Sequence, residues 1–174
     1  MSPALTPSIA VSTIDRGDAG SLQTLGKMRA LVRASIRDAA VVQAARAIVR
    51  FIFPRRYAEQ IGALRSYLSE HFQFVKDPSG MELLSTPRHM LDTIARAYFV
   101  QGDCDDAAIL AAALAVSVGF RVRFVAVGFG DATSPLVHVF AEVNLPGSDR
   151  WYDMDTTRPA DTGMRFSRVV RVEV

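Results

Sequence analysis

The sequence predicts an α+β fold in one domain: a helical N-terminal half, then a core helix carrying a lone cysteine and packed on an antiparallel β-sheet. Three observations predict it. Apolar residues recur at helical spacing before residue 119 and in alternation after it. Between the two regimes, residues 107–120 are apolar on nearly every face, as a helix running through a core must be. A chain of 174 residues can also bury roughly 70% of the surface its unfolded form exposes, without metal or disulfide support.

In chain order, residues 1–20 hold Pro3, Pro7, Gly17 and Gly20 with no apolar period and read as a flexible arm before a single domain over residues 21–174. From Leu22, the positions Leu25, Met28, Val32 and Ile36 form a first helical stripe. Asp38 suits the N-cap of a second helix whose face holds Val41, Val42, Ala45, Ile48, Val49 and Ile52, and Pro54 stops it. Tyr57, Ile61, Leu64 and Leu68 mark a third helix over about residues 56–71. Phe72-Gln73-Phe74-Val75 reads as extended, and Asp77-Pro78-Ser79-Gly80 as a turn. Thr86 followed by Pro87 is an N-cap with proline at the first helical position, opening a fourth helix with Met90, Leu91, Ile94 and Tyr98 on its apolar side. These four stripes read as core, not as a membrane or cofactor surface. Val100-Gln101 leads into Gly102-Asp103-Cys104-Asp105-Asp106, where Asp103 suits the N-cap of the core helix and Gly119 its C′ position. Residues 121–129 and 137–143 then alternate as strands, a third strand begins at Trp151, and residues 166–174 supply a fourth, at an edge.

Composition narrows the function. Charged residues make up 22% and hydrophobic residues 49%, an ordinary globular balance. One cysteine excludes an intramolecular disulfide and suits a reducing cytoplasm. The start of the chain carries neither a basic region nor a sustained apolar run, and residues 107–120 are too few to span a bilayer, so neither export nor membrane contact is expected. The formal net charge of +2 hides a split: 13 Lys+Arg against 8 Asp+Glu in residues 1–100, and 7 against 10 afterwards. The basic half offers a surface to an acidic protein partner, but its arginines are spaced along helices without interleaved aromatics, which argues against nucleic acid.

Cys104 is the candidate nucleophile because it stands where a helix starts. The unpaired N–H groups and positive dipole end of a helix favour a thiolate and can receive an oxyanion. The carboxylates of Asp103, Asp105 and Asp106 oppose thiolate formation unless they face solvent or cap N–H groups. Those three carboxylates with His138 match no EF-hand or zinc spacing, so no metal and no cofactor is expected. On the second strand His138, Phe140 and Glu142 share one face. Leu145-Pro146-Gly147-Ser148 carries the Pro-Gly signature of a type II turn. A hairpin closed about that pair sets Val143 opposite Arg150, Glu142 opposite Trp151, Phe140 opposite Asp153 and His138 opposite Asp155; a bulge makes the partner Asp153 or neither. A carboxylate opposite the imidazole fixes its tautomer and leaves the other ring nitrogen for the thiol proton. Gln101 is a candidate second oxyanion donor, and Trp151 is expected to pack near the site, within reach of a substrate. His71 and His89 read as structural.

The Gly-Asp-Cys at the mouth of an Ala/Leu-rich helix, His138-Val-Phe-Ala-Glu142-Val on a strand, and Trp151-Tyr-Asp-Met-Asp155-Thr156 together resemble the transglutaminase-like superfamily, most clearly over residues 70–157. The preceding helices resemble those of small bacterial and prophage-encoded members of cysteine peptidase type. The resemblance implies a papain-like Cys-His-Asp arrangement on a helix and an antiparallel sheet, with Cys104 as nucleophile, His138 as general base and acid, and Asp155 as orienting carboxylate. Phe140 and Thr156 stand where the family commonly has Trp and Pro. It implies a peptidase or amidase acting on a peptide or protein through a thioester, with transamidation as the related outcome. The alternative is a non-catalytic interaction or assembly protein, such as a prophage or virion component that kept the fold.

Overall fold

The computed structural model describes residues 13–78, 81–158 and 166–174. Residues 1–12 of the expected arm and residues 79–80 of the expected turn lie outside the described residues. The elements run α1 (Gly17–Ser35), α2 (Ala39–Val49), α3 (Tyr57–His71), β1 (Phe72–Phe74), α4 (Pro87–Ala97), β2 (Val100–Gly102), α5 (Cys104–Ser117), β3 (Val122–Phe129), β4 (His138–Asn144), β5 (Trp151–Asp153) and β6 (Phe166–Glu173). This is the helical half followed by a sheet that the periodicity predicts.

Capping side chains set the starts of α2, α4 and α5. Asp38 accepts the Ala40 N–H, Thr86 accepts the His89 N–H ahead of α4, and Asp103 accepts the Asp105 N–H ahead of α5. At the other end of α5, Gly119 takes φ +94°, and the N–H groups of Gly119 and Phe120 bond to the carbonyls of Val116 and Ala115. That is the Schellman closure a C′ glycine permits. Several boundaries differ from the sequence reading. α2 ends at Val49, so Ile52, placed on its apolar face, lies in the turn beyond it, and Ile36, placed in the first stripe, is the exposed C-cap of α1. α1 starts at Gly17, five residues before Leu22, so the arm read over residues 1–20 overlaps the helix. Tyr98, read as part of the α4 stripe, is its left-handed C-cap at φ +72° and is exposed. Val100–Gly102 forms a strand, β2, paired in parallel with β1.

The sheet order is β5-β4-β3-β6, antiparallel throughout, with β6 on an edge. Every residue of α5 from Asp105 to Ala115 is buried. One side of the helix meets Phe124, Ala126, Val139 and Ala141 of the sheet; the other meets Met28, Val32, Val41 and Leu64 of the helical layer. Burying a Leu or Val side chain stabilises by roughly 1.5–3 kcal/mol, so a helix wetted on no face is a rigid mount for its first residue. No helix among the described residues is long and apolar enough to cross a membrane.

Candidate active site

Cys104 is the first residue of α5 and is half-buried. His138 is the first residue of β4, and Asp155 follows β5 by two residues. The fold brings these termini together. β5 ends at Asp153, and the Met154 N–H bonds to the Ala141 carbonyl at 2.9 Å. Two residues back along β4, Val139 presents its N–H past the end of β5. That N–H lies on the Cys104 side and acts to lower the thiol pKa, so the residue after His138 neighbours the thiol.

His138 Nε2 lies 2.7 Å from Asp155 Oδ2. The Asp155 side chain is 1% exposed. Burial pushes its carboxyl up, but the His138 hydrogen bond and charge, with the donors of Thr157, outweigh that and hold it below the ordinary value. An ionised carboxylate only accepts, so Nε2 carries the hydrogen and Nδ1 is the nitrogen left to take a proton. The two carboxylate oxygens divide their work. Oδ1 accepts from Thr157 N–H (2.9 Å), Thr157 Oγ1 (3.0 Å) and Arg158 N–H (3.1 Å), while Oδ2 serves His138, with Arg158 Nε at 3.7 Å. The Asp155 backbone is held as well, its N–H by Asp153 Oδ1 at 2.6 Å and its carbonyl by Arg65 Nη2 at 3.1 Å.

The histidine and carboxylate meet through a register other than the expected one. Glu142 pairs with Asp153, Val143 with Tyr152 and Asn144 with Trp151, two residues away from a hairpin closed directly on Pro146-Gly147. The type II turn itself is there, with Gly147 at φ +79° and Ser148 N–H bonded to the Leu145 carbonyl. Its twist does not match that of the strands, so pairing resumes only after Ser148 and Asp149, where the Leu145 N–H reaches the Arg150 carbonyl. Asn144 Nδ2 ties the loop down through the Ser148 and Arg150 carbonyls. An even shift keeps every side chain on its face, so Asp155 still reaches His138, from a diagonal position.

The shift also relocates the supporting residues. Trp151, expected near the site, packs under Arg123 with the guanidinium 3.9 Å from its ring centre, beside Asn144 and ~20 Å along β4 from His138. Asp153 receives the Asp155 N–H and, at 2.7 Å, Arg158 Nη2; it is a brace for Asp155. Gln101 is exposed on β2, in register with Gln73. The sequence reading missed Arg65, Arg158 and the Val139 N–H. Thr157 was findable, because Asp-x-Thr is the pattern of a side-chain turn.

The three aspartates at the helix start are not a ring of exposed anions. Asp103 is the cap. Asp105 is buried, Oδ1 accepts the Asp106 N–H, and Oδ2 has no partner donor. Burial, with the carboxyls of Asp103 and Glu82 beside it, raises Asp105 far above the ordinary range, so it is protonated near neutrality and its O–H needs an acceptor, not a donor. Asp106 is pushed up to about 7 by burial, against the Ser85 N–H that it accepts at 2.7 Å. One oxygen from each of the three lies within 4.8 Å of the others, and among the described residues this is the group that could hold a metal ion. Burial also raises the Cys104 thiol to about 12; the Val139 N–H opposes the shift, and the neighbouring Asp103 and Asp105 carboxyls, wherever ionised, add to it.

The sequence profile of the transglutaminase-like superfamily matches residues 42–156, a stretch that contains Cys104, His138 and Asp155. Among solved structures, the fold resembles a candidate cysteine protease from Cytophaga hutchinsonii, with a TM-score of 0.53 and 18% identity over 75% of this chain. The match spans 41% of that protein, and at this identity the likeness concerns the fold. No curated protein gives a significant match.

Proposed function

The chain belongs to the transglutaminase-like superfamily, and from that premise we propose that it is a cysteine-dependent acyl-transfer enzyme, a peptidase or amidase in which Cys104, His138 and Asp155 form the reacting set. The observation that carries the proposal is the 2.7 Å contact between His138 and Asp155, at the strand end whose next N–H, that of Val139, neighbours the Cys104 thiol. Cys104 Sγ attacks a substrate carbonyl while His138 Nδ1 takes its proton. The Cys104 N–H, in the first turn where no intrahelical acceptor exists, donates to the oxyanion. The imidazolium, stabilised by Asp155, protonates the leaving amine, and water then hydrolyses the thioester. A thiol raised to about 12 rests protonated, so this reading has the base act during attack rather than through a standing ion pair.

Intact-mass labelling with iodoacetamide at pH 7 tests it. Unaided, a thiol at about 12 is thiolate in about one molecule in 10⁵ at that pH. Wild-type Cys104 should therefore label at least tenfold faster than Cys104 in His138→Ala, with general-base assistance of about 10²–10⁴ as the ceiling. Equal, slow labelling of both proteins favours the non-catalytic interaction protein instead.

A further inference from the structure

The turn between α2 and α3 carries features that neither the core nor the site uses. Phe51 is 84% exposed and Phe53 76%, more than any other large apolar side chain among the described residues. Residues 39–58 contain Arg46, Arg50, Arg55 and Arg56 and no Asp or Glu. The Arg50 guanidinium lies 4.4 Å over the Phe51 ring, and only Arg56 is paired with a carboxylate on this turn, Glu59 at 2.5 Å.

The backbone at the turn is strained. The Arg56 N–H bonds to the Phe53 carbonyl at 3.2 Å, which makes Phe53-Pro54-Arg55-Arg56 a β-turn with proline second, and Arg55 takes φ +69° in third place. Glycine fits that position and arginine does not. A cation is kept where stability disfavours it, an outlier that points to use of the side chain.

We infer that this turn docks the protein onto an anionic phospholipid surface, with Phe51 and Phe53 entering the headgroup boundary and Arg50, Arg55 and Arg56 meeting lipid phosphates. Shape selects the occupant. The two rings stand out from a tight turn, so a protein partner would have to supply a pocket for each, whereas a bilayer interface accepts a protruding aromatic anywhere. The surrounding arginines match an anionic leaflet in sign. Arg55 and Arg56 border a groove with Leu145 and Pro146 of the β4–β5 loop, at the end of β4 remote from His138. Docking there leaves Cys104 facing away from the membrane, so the inference stands apart from the proposed chemistry.

Co-sedimentation of the full chain with vesicles tests it, comparing phosphatidylserine–phosphatidylcholine with pure phosphatidylcholine at low and high salt. Wild type should sediment with the anionic vesicles alone, and less as salt rises. The double variant Phe51→Ser/Phe53→Ser, altered where the side chains are solvated, should lose at least ~tenfold in partitioning while melting unchanged. Arg55→Gly should melt higher and bind more weakly, two opposite signs that a merely structural turn does not produce. Failure of wild type to sediment, or undiminished binding by either variant, overturns the inference. Binding to a single-stranded oligonucleotide in place of vesicles overturns it in favour of nucleic acid.

Discussion

Replacing Asp155 separates its two duties, because each falls on a different oxygen. Asp155→Ala strips the acceptor from Thr157 N–H, Thr157 Oγ1, Arg158 N–H and His138 Nε2 at once. Thr157 and Arg158 are half-buried, so water relieves part of that loss, and a cost of about 4 kcal/mol fits a buried pair with one partner removed. In a chain of this size that lowers the melting temperature by roughly 8–16 °C. Asp155→Asn keeps an oxygen at the Oδ1 position for the turn and places an NH₂ against His138. The stability cost falls to about 1 kcal/mol, roughly 2–4 °C. The chemistry, however, is lost, because an amide donor forces Nε2 to accept and moves the ring hydrogen to Nδ1, the nitrogen needed for the thiol proton. Cys104 labelling by iodoacetamide at pH 7 should then fall about 10²-fold or more in both variants, although only Asp155→Ala melts much earlier. Because the folded protein holds the carboxyl below its ordinary value, its contribution is present above about pH 4 and lost as acid protonates it. The melting gap between wild type and Asp155→Asn should close at low pH. An Asp155→Asn protein that labels as fast as wild type refutes the tautomer argument, and an Asp155→Ala protein as stable as wild type refutes the geometry.

Asp106 carries the opposite sign. Its folded-state value is raised to about 7 by burial, so the stability of its neutral form is complete below about pH 4 and is lost as pH rises toward 7. Asp106→Asn keeps an acceptor for the Ser85 N–H and should match wild type near pH 4 but melt higher at pH 8, by on the order of 4 kcal/mol in stability; a lower melting point at pH 8 would count against a buried neutral carboxyl. Gly102 abuts the same side chain: a Cβ there would stand 2.5 Å from Asp106 Oδ2 and 2.8 Å from its Cβ. Gly102→Ala should lower the denaturant midpoint by the equivalent of about 1–3 kcal/mol, and an unchanged midpoint would show that Asp106 can move aside.

Much of the fold was legible because its boundaries are written in side chains. Asp38, Thr86-Pro87, Asp103 and Gly119 each mark an end by a local hydrogen bond or a permitted dihedral, and such signals need no knowledge of the rest of the chain. Where the sequence misled, a residue had two meanings. Gly17 and Gly20 read as punctuation of a loose arm, yet Gly17 opens α1, and Gly20 is buried so close to Asp15 that a Cβ would lie 2.0 Å from its carbonyl oxygen. β2 escaped notice because three residues cannot show an alternation, and its partner β1 lies across the whole of α4.

The site was legible for a related reason and obscured for a different one. Cys104, His138 and Asp155 stand at or just beyond the ends of elements, and the parity of a strand survives an even error in register, so His138 and Asp155 meet although every expected hairpin pair was off by two. Trp151 did not survive the same error, because its place depends on distance along β4 and not on parity. The charge around the thiol was opaque, since Asp105 and Asp106 look like solvated first-turn acids and are in fact buried. Burial neutralises Asp105 and at the same time raises Cys104, so the helix start that suggests a ready thiolate holds a resting thiol. The consequence falls on the other two residues. An ion pair already formed could tolerate a loosely held histidine, but in the proposed mechanism the base acts during attack and has to be in place beforehand, and Asp155, fixed through its N–H, its carbonyl and both carboxylate oxygens, is the group that would keep it there.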